Sequence, residues 1–434
     1  MLNEILQSTN VGTVVPASLV IFLTFIMLRK TKSYKKAINV NQNDRIYCFK
    51  PQPLIDFTRI NLNEALEIPA PDESDPDCMN LAKVNYLDLL NNINLRKEAE
   101  SCIRIYGVGS CGPRGFYGTI DIHLTLESRL AEFMGMEETV LYSYGFSTIS
   151  SAIGAYCKKS DIIFCDEKIS FCAGQGILAA KSKVVYFKHN DMEDLNTKLQ
   201  EYEEKEKQRK KLYRKFLVVE GIYAATGTIC PLPELMSLRK KYKLRIFIDE
   251  SLSFGVLGKT GRGVTEHFNV NRSDIDMIMG SLEGSIGSIG GFCVGASVVI
   301  EHQRLSGLGY CFSASLPPFL SHISICALDM FEKDPSMFEK LKSIVQIVDE
   351  RLRNLKGIMV ISDPLSPHKV ITTTNIENRE ETIKKIHAAC VQKDIYLICL
   401  KENLHFNLNV TMKDADIDRF INTLQEAVGN ILCS

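Results

Sequence analysis

Two stretches of this sequence hold residues that could do chemistry. Arg245–Glu250 reads R-I-F-I-D-E, an apolar run that ends in the acid Asp249, and Asp276–Leu282 leads into the glycine-rich E-G-S-I-G-S-I-G-G-F. An aspartate at the end of a buried strand can face a cationic ring nitrogen. A pyridoxal ring held in that way becomes an electron sink once its aldehyde is bound as a Schiff base to a lysine amine. The acid is present, but between Lys259 and Lys333 there is no lysine at all.

Other reactive-looking patterns point elsewhere. Gly107, Gly109 and Gly112 satisfy G-x-G-x-x-G, but Glu98–Arg104 reads as a helix end and Pro113 follows at once. A dinucleotide fingerprint needs strand, turn and helix, so these glycines are expected to shape a loop that approaches a ligand or partner closely. Cys111, Arg114 and Tyr117 in that loop are candidates for an interface or substrate contact, against a purely structural role. The fourteen cysteines are scattered singly, with no C-x-x-C pair and no metal-ligand spacing, so buried thiols are expected and no metal.

These residues need a scaffold, and the hydrophobic pattern predicts one. From about Thr139 short apolar runs (V-L-Y-S, D-I-I-F-C-D, K-V-V-Y-F, K-F-L-V-V-E, L-R-I-F-I-D, D-M-I-M-G) alternate with amphipathic stretches. Continuous β-rich runs separated by helices predict a mostly parallel sheet covered on both faces, a doubly wound α/β core. Met192–Lys215 predicts a solvated helix, with Leu195, Leu199 and Tyr202 at helical spacing. After Pro317 and Pro318, helices are expected over Leu320–Glu332, Ser336–Leu355 and Ile417–Ile431, with short strands between, which makes a smaller C-terminal α+β domain.

A net charge of -1 argues against a nucleic-acid partner. The N-terminus points to a membrane. Ile5–Leu28 carries no charge, Val11–Leu28 is long enough to span a bilayer, and Arg29, Lys30, Lys32, Lys35 and Lys36 follow. With Glu4 before the span and R-K-T-K after it, a retained single-pass anchor is expected instead of a cleaved leader. The basic flank would put the globular body in the cytosol.

Longer motifs carry a family resemblance. Y-G-V-G-S-C-G-P-R-G-F-Y-G at Tyr106–Gly118 and H-x-x-L-E-x-R-L-A-x-F at His123–Phe133 resemble the α-oxoamine synthases, fold-type I pyridoxal-phosphate transferases that condense an amino acid with an acyl-CoA. K-H-N-D-M at Lys188, V-V-E-G-I-Y at Val218, T-G-T-I-C-P-L-P-E-L at Thr226, D-E-S-L-S-F-G at Asp249 and G-Y-C-F-S-A-S-L-P-P at Gly309 extend the likeness over roughly residues 45 to 430. Cys78–Leu90 resembles the family's first strand and the segment that opens its substrate site. The resemblance implies a fold-type I aminotransferase-like large domain over 106–300, a small C-terminal domain over 301–434, an N-terminal segment over 45–105, and the membrane anchor with its basic linker over 1–44.

The same resemblance implies a vestigial cofactor site. The family's ring-stacking histidine falls on Ser170, the histidine three residues after the aspartate falls on Leu252, and the Schiff-base lysine falls on Gly284. Asp249 remains, either as a ring partner or as a carboxylate that packs locally. Because such enzymes build their active sites between two subunits, Phe312, Ser313, Ala314 and Ser315 would face the partner's cofactor, unless the serines only shape a turn. Arg262 and Gly263 match the family too, though G-R-G is also a common surface turn.

The expectation is therefore an inactive subunit that binds no pyridoxal phosphate covalently. It would pair with a homologous lysine-bearing catalytic subunit that carries the cofactor and condenses L-serine with palmitoyl-CoA to 3-oxosphinganine. Small activating or regulatory membrane subunits and an endoplasmic-reticulum membrane go with that resemblance. The alternatives are an active homodimeric oxoamine synthase and a membrane scaffold without an enzymatic partner.

Overall fold

Apolar residues alternate between the two faces of the central strands, and that alternation sorts the core into two layers. Ile163 and Cys165, Phe216 and Val218, Phe247, Met277 and Met279 pack on one side of the sheet. Phe164, Leu217 and Val219, Ile246 and Ile248, and Ile278 pack on the other. Both faces are covered, so the strands read as unbroken apolar runs. The computed structural model describes Pro71, Asp75 and residues 77–432, apart from Cys111, Lys211 and Ile376. The N-terminal apolar stretch and its basic flank lie outside the described residues. Among the described residues no helix is long and apolar enough to cross a membrane.

After a two-residue strand, β1 (Met79–Asn80), come helices α1 (Ile93–Tyr106) and α2 (Asp121–Met134). The main sheet then alternates with helices: β2 (Glu138–Tyr142), α3 (Gly145–Tyr156), β3 (Ile162–Asp166), α4 (Phe171–Ala180), β4 (Lys183–Phe187), α5 (Met192–Arg209), β5 (Lys215–Glu220), α6 (Leu232–Tyr242) and β6 (Arg245–Asp249). It is completed by β7 (Met277–Ser281) and β8 (Gly291–Gly295). The strand order is β2-β8-β7-β6-β5-β3-β4. The pairs β3–β4, β3–β5, β5–β6 and β6–β7 are parallel, while β8 runs antiparallel to both its neighbours. Asp166, Glu220, Asp249 and Ser281 therefore all end their strands at one edge of the sheet, the edge where open α/β sheets bind ligands.

The chain continues through α7 (Ser297–Ser306), α8 (Pro318–Lys333) and α9 (Ser336–Arg353) to a four-stranded sheet. That sheet, of order β12-β13-β10-β9, joins β9 (Ile358–Val360), β10 (His368–Thr373), β12 (Ile398–Leu400) and β13 (Asn403–Asn407). It is covered by α10 (Arg379–Val391) and α11 (Asp414–Leu432). The expected first strand is shorter than its motif. β1 pairs in parallel with β11 (Ile395–Tyr396), and the rest of Cys78–Leu90 forms turns that end in a single 3-10 turn, Leu89–Asn91.

The turn after β6 is held by one buried acid. The Glu250 carboxylate accepts hydrogen bonds from the Val264 backbone N–H at 3.0 Å and from the Ser253 hydroxyl. Gly263 has φ +85°, and a Cβ there would stand 2.4 Å from Glu250 Oε2. Arg262 points inward, its guanidinium 4.7 Å from the centre of the Phe133 ring and hydrogen-bonded to the Phe133 carbonyl. This corrects the reading of G-R-G as a surface turn, because the arginine ties the turn to the end of α2. Gly263→Ala is expected to destabilise the chain by at least ~1–3 kcal/mol, since backbone strain and a clash with a buried carboxylate act together. Urea unfolding monitored by circular dichroism measures the loss.

Candidate functional site: an acid cleft and the loop beside it

Parallel pairing puts Glu220 directly opposite Asp249 on neighbouring strands. Both line a cleft of about 170 Å³ with Gly145, Phe146, Ser170, Cys172, Leu252, Ser281 and Glu283. The structure thus brings together Ser170, Asp249 and Leu252, three of the four residues at which a cofactor site was expected. Each now serves local structure. Ser170 is the N-cap of α4, where its hydroxyl accepts the Ala173 N–H at 3.3 Å and its own N–H donates to Glu220. Asp249 accepts the Ser251 N–H at 2.9 Å, and Glu220 accepts the Ala224 N–H at 2.9 Å. Leu252 packs against the core.

The fourth position, Gly284, follows Glu283 in the loop after β7 and is covered. A Cβ built there would lie 3.2 Å from Val84 Cγ1 and 3.3 Å from the Tyr86 ring. The Tyr86 N–H donates to the Gly284 carbonyl at 3.0 Å, and Tyr86 is fully buried. The segment expected to open a substrate site instead lies over this glycine.

The electrostatics of the cleft run against an anionic ligand. Glu220, Asp249 and Glu283 line it, and no basic side chain does so among the described residues. Burial pushes Glu220 upward and the nearby Asp249 carboxylate pushes it further, while burial also raises Asp249 and Glu283. Desolvation disfavours the charged form of each acid, which lowers the negative charge the cleft carries. These residues offer pyridoxal phosphate no covalent tether: Gly284 carries no amine, and the ring-stacking histidine of the resemblance is Ser170.

Sequence reasoning missed Glu220 as a site residue, although the signal was available. Its motif V-V-E-G-I-Y ends a strand in an acid just as R-I-F-I-D-E does, and adjacent parallel strands must bring such ends together. It also missed a network beyond the cleft. His189 Nδ1 lies 2.9 Å from Asp166 Oδ1, and its Nε2 lies 2.7 Å from the Thr228 hydroxyl, so K-H-N-D-M and T-G-T-I-C-P meet at the sheet edge as structural motifs.

The glycine-rich loop lies along the segment expected to face a partner. Pro113 forms a β-bridge with Ala314, and both the N–H and the hydroxyl of Ser315 donate to the Gly112 carbonyl at 3.0 Å. Ser143 donates to the Ala314 carbonyl. These contacts give Ser315 and Ala314 structural roles, whereas Phe312 is 79% exposed and Ser313 is half-buried. Tyr117, with φ +63°, is 88% exposed and stands edge-on to exposed Phe116, with ring centres 5.1 Å apart. Cys111 lies outside the described residues.

Arg114 corrects its sequence-based expectation. It is buried, with Nη1 and Nη2 donating to the two Glu127 oxygens at 2.9 and 3.0 Å, so its charge is met inside the chain. Glu127 also accepts the Leu141 N–H at 2.9 Å. The remaining polar residues of the H-x-x-L-E-x-R motif are equally structural. His123 Nε2 lies 2.7 Å from the Leu316 carbonyl, and Arg129 pairs with Asp329 and Glu332 on α8.

The seven-stranded, mostly parallel sheet with its acid-bearing edge defines the fold-type I, aminotransferase-like α/β class, and a family model described as aminotransferase class I and II matches residues 76–424. Serine palmitoyltransferase from Sphingomonas wittichii superposes with a TM-score of 0.74 at 24% identity, over 82% of this chain and 88% of that one. The 8-amino-7-oxononanoate synthase of Francisella tularensis superposes with a TM-score of 0.70 at 21% identity, over 82% and 99%. At those identities the likeness shows the fold. Closer in sequence are serine palmitoyltransferase 1 of Dictyostelium discoideum, 46% identical over 71% of this chain and 65% of that protein, and long chain base biosynthesis protein 1c of rice, 40% identical over 82% and 75%. The chain belongs to the aminotransferase class I and II family and, within it, to the group of serine palmitoyltransferase 1 and long chain base biosynthesis protein 1. Against the Dictyostelium relative the match spans somewhat less than two thirds of that protein's length.

Two predictions come from the buried charges. Arg114→Ala strands Glu127 in the interior and is expected to cost ~3–5 kcal/mol, read as a lowered denaturation midpoint. Asp249, Glu220 and Glu250, the last pushed up to about 7, bind protons more tightly folded than unfolded. Each of these carboxyls therefore makes stability fall as pH rises between the ordinary carboxylate range and about pH 7, while His123, His267, His368 and His405, whose charged forms burial disfavours, act in the opposite direction. The slope is at most ~1.4 kcal/mol per pH unit for each group. Asp249→Asn keeps the acceptor for Ser251 and removes one titrating group, so the slope should shallow. Urea unfolding at a series of pH values tests both, and a parent-minus-Asp249→Asn stability difference that does not fall as pH rises through that window would contradict the raised Asp249 carboxyl.

Proposed function

We propose that this chain is a non-catalytic subunit of a serine palmitoyltransferase, one that completes the active site of a homologous partner. The observation that carries the reading is Gly284, overlain by Val84 and Tyr86 and next in sequence to a cleft whose ionisable side chains are a thiol and three carboxylates. A lysine-bearing partner would supply pyridoxal phosphate, whose ring stabilises the carbanion derived from L-serine for attack on palmitoyl-CoA. The products would be 3-oxosphinganine, carbon dioxide and CoA. The N-terminal apolar stretch would hold the pair at the endoplasmic-reticulum membrane with its globular body in the cytosol, and small membrane subunits could join it there.

What this chain offers a partner is apolar surface beside a fixed loop. Phe116, Tyr117 and Phe312 are exposed next to the Pro113–Ala314 bridge, and exposed aromatic clusters of this kind mark protein interfaces. The loop beneath them is held by Arg114 and Ser315, so they are presented without a large ordering cost. An active homodimer would need an amine near Gly284, and a scaffold without an enzymatic partner would need no such presentation of aromatic side chains.

The test is co-expression with a lysine-bearing homologue. The pair should co-purify and condense serine with palmitoyl-CoA. Borohydride reduction followed by peptide mapping should find a pyridoxyl-lysine in the partner alone. Phe116→Ser combined with Phe312→Ser should leave the isolated chain's unfolding midpoint unchanged while weakening association by ~2 kcal/mol or more, roughly thirtyfold. A pyridoxyl-lysine peptide from this chain would overturn the reading.

A further inference from the structure

Packing of α1 against α8 gathers a set of groups that sequence spacing did not reveal. His322 and Cys326 lie four residues apart on α8, so both project from one face of that helix. Glu98 approaches them from α1. Its Oε2 is 3.1 Å from His322 Nε2, and the same nitrogen is 3.8 Å from Cys326 Sγ. The three donor atoms all lie within 4.8 Å of one another.

These separations match what a small cation requires. In a tetrahedral zinc site with bonds of about 2.0–2.1 Å to nitrogen and oxygen and 2.3 Å to sulfur, the ligand atoms stand ~3.3 Å apart for nitrogen and oxygen and ~3.6 Å for sulfur and nitrogen. The observed 3.1 and 3.8 Å lie close to both. The donor set of one imidazole, one thiolate and one carboxylate favours zinc over calcium or magnesium, which take oxygen ligands. His322 and Cys326 are half-buried and Glu98 is exposed, so one side is open to water, which can take the fourth position.

We propose that Glu98, His322 and Cys326 form a three-ligand zinc site that clamps α1 to α8. The clamp has a structural consequence. Helix α1 runs directly into the glycine-rich loop at Gly107, and α8 begins just after Ser315, so the two helices carry the two segments that meet at the Pro113–Ala314 bridge. A cation between them would fix the spacing of both. Uptake is coupled to a proton, because burial and the neighbouring Glu98 carboxylate hold the Cys326 thiol up at about 11, and binding a thiolate must release that proton.

The test uses the full chain, stripped of metal and kept reduced. Zinc titration in competition with a chromophoric chelator should show one tight equivalent, and cobalt in its place should give a thiolate-to-metal charge-transfer band. Cys326→Ser and His322→Ala should each remove that equivalent and the band. In the parent chain zinc should raise the unfolding midpoint, and in both variants it should not. Metal-free midpoints of parent and variants should agree, which separates loss of a ligand from loss of fold. No tight equivalent in the parent, or an equivalent that survives in both variants, would overturn the proposal.

Discussion

Much of this molecule depends on keeping Arg114 and Glu127 together away from water. Removing two charges from solvent is costly, and the pair is tolerable only because the guanidinium meets both carboxylate oxygens and the Leu141 N–H adds a third donor. Through that one carboxylate the glycine-rich loop, helix α2 and strand β2 are fixed relative to one another. From β2 the chain passes through Ser143, which holds Ala314, to Gly145 at the mouth of the acid cleft. Loop and cleft are therefore parts of one rigid arrangement, and Phe116 and Tyr117 can stand in solvent because the residue that anchors their loop points the other way.

The cleft shows how the polar groups at a sheet edge of this fold can be taken up by local structure. Ser170 caps a helix, Leu252 joins the core, and Asp249 and Glu220 bond to backbone N–H groups. Each polar group has found a local partner. What persists is the geometry of the sheet edge, because it follows from strand order and register, which no single side chain controls.

The sheet was legible because strands buried on both faces must be apolar throughout, and those runs could be read directly. Asp249 was legible as the acid that ends such a run, while Ser170 and Leu252 were located only through the family motifs the sequence resembles. The inward turn of Arg114 was not, since a charged residue among glycines has the appearance of surface and its partner lies in the following helix. Arg262 misled in the same way. The cover over Gly284 and the meeting of Glu98 with His322 and Cys326 join residues some two hundred positions apart, and only tertiary packing reveals them. The short β1 was over-read because its pairing with β11 gives it just two bonded residues.

The contact of Val84 and Tyr86 with Gly284 limits what that position can hold. One substitution could in principle put a lysine at Gly284, but here Val84 and Tyr86 stand against the position and the Tyr86 N–H is bonded to the Gly284 carbonyl. Any side chain added there would press on Val84 and on the fully buried Tyr86, which would have to give way by a few tenths of an ångström. Packing works as a ratchet: once neighbours settle against a glycine, a larger side chain at that position calls for adjustments around it as well.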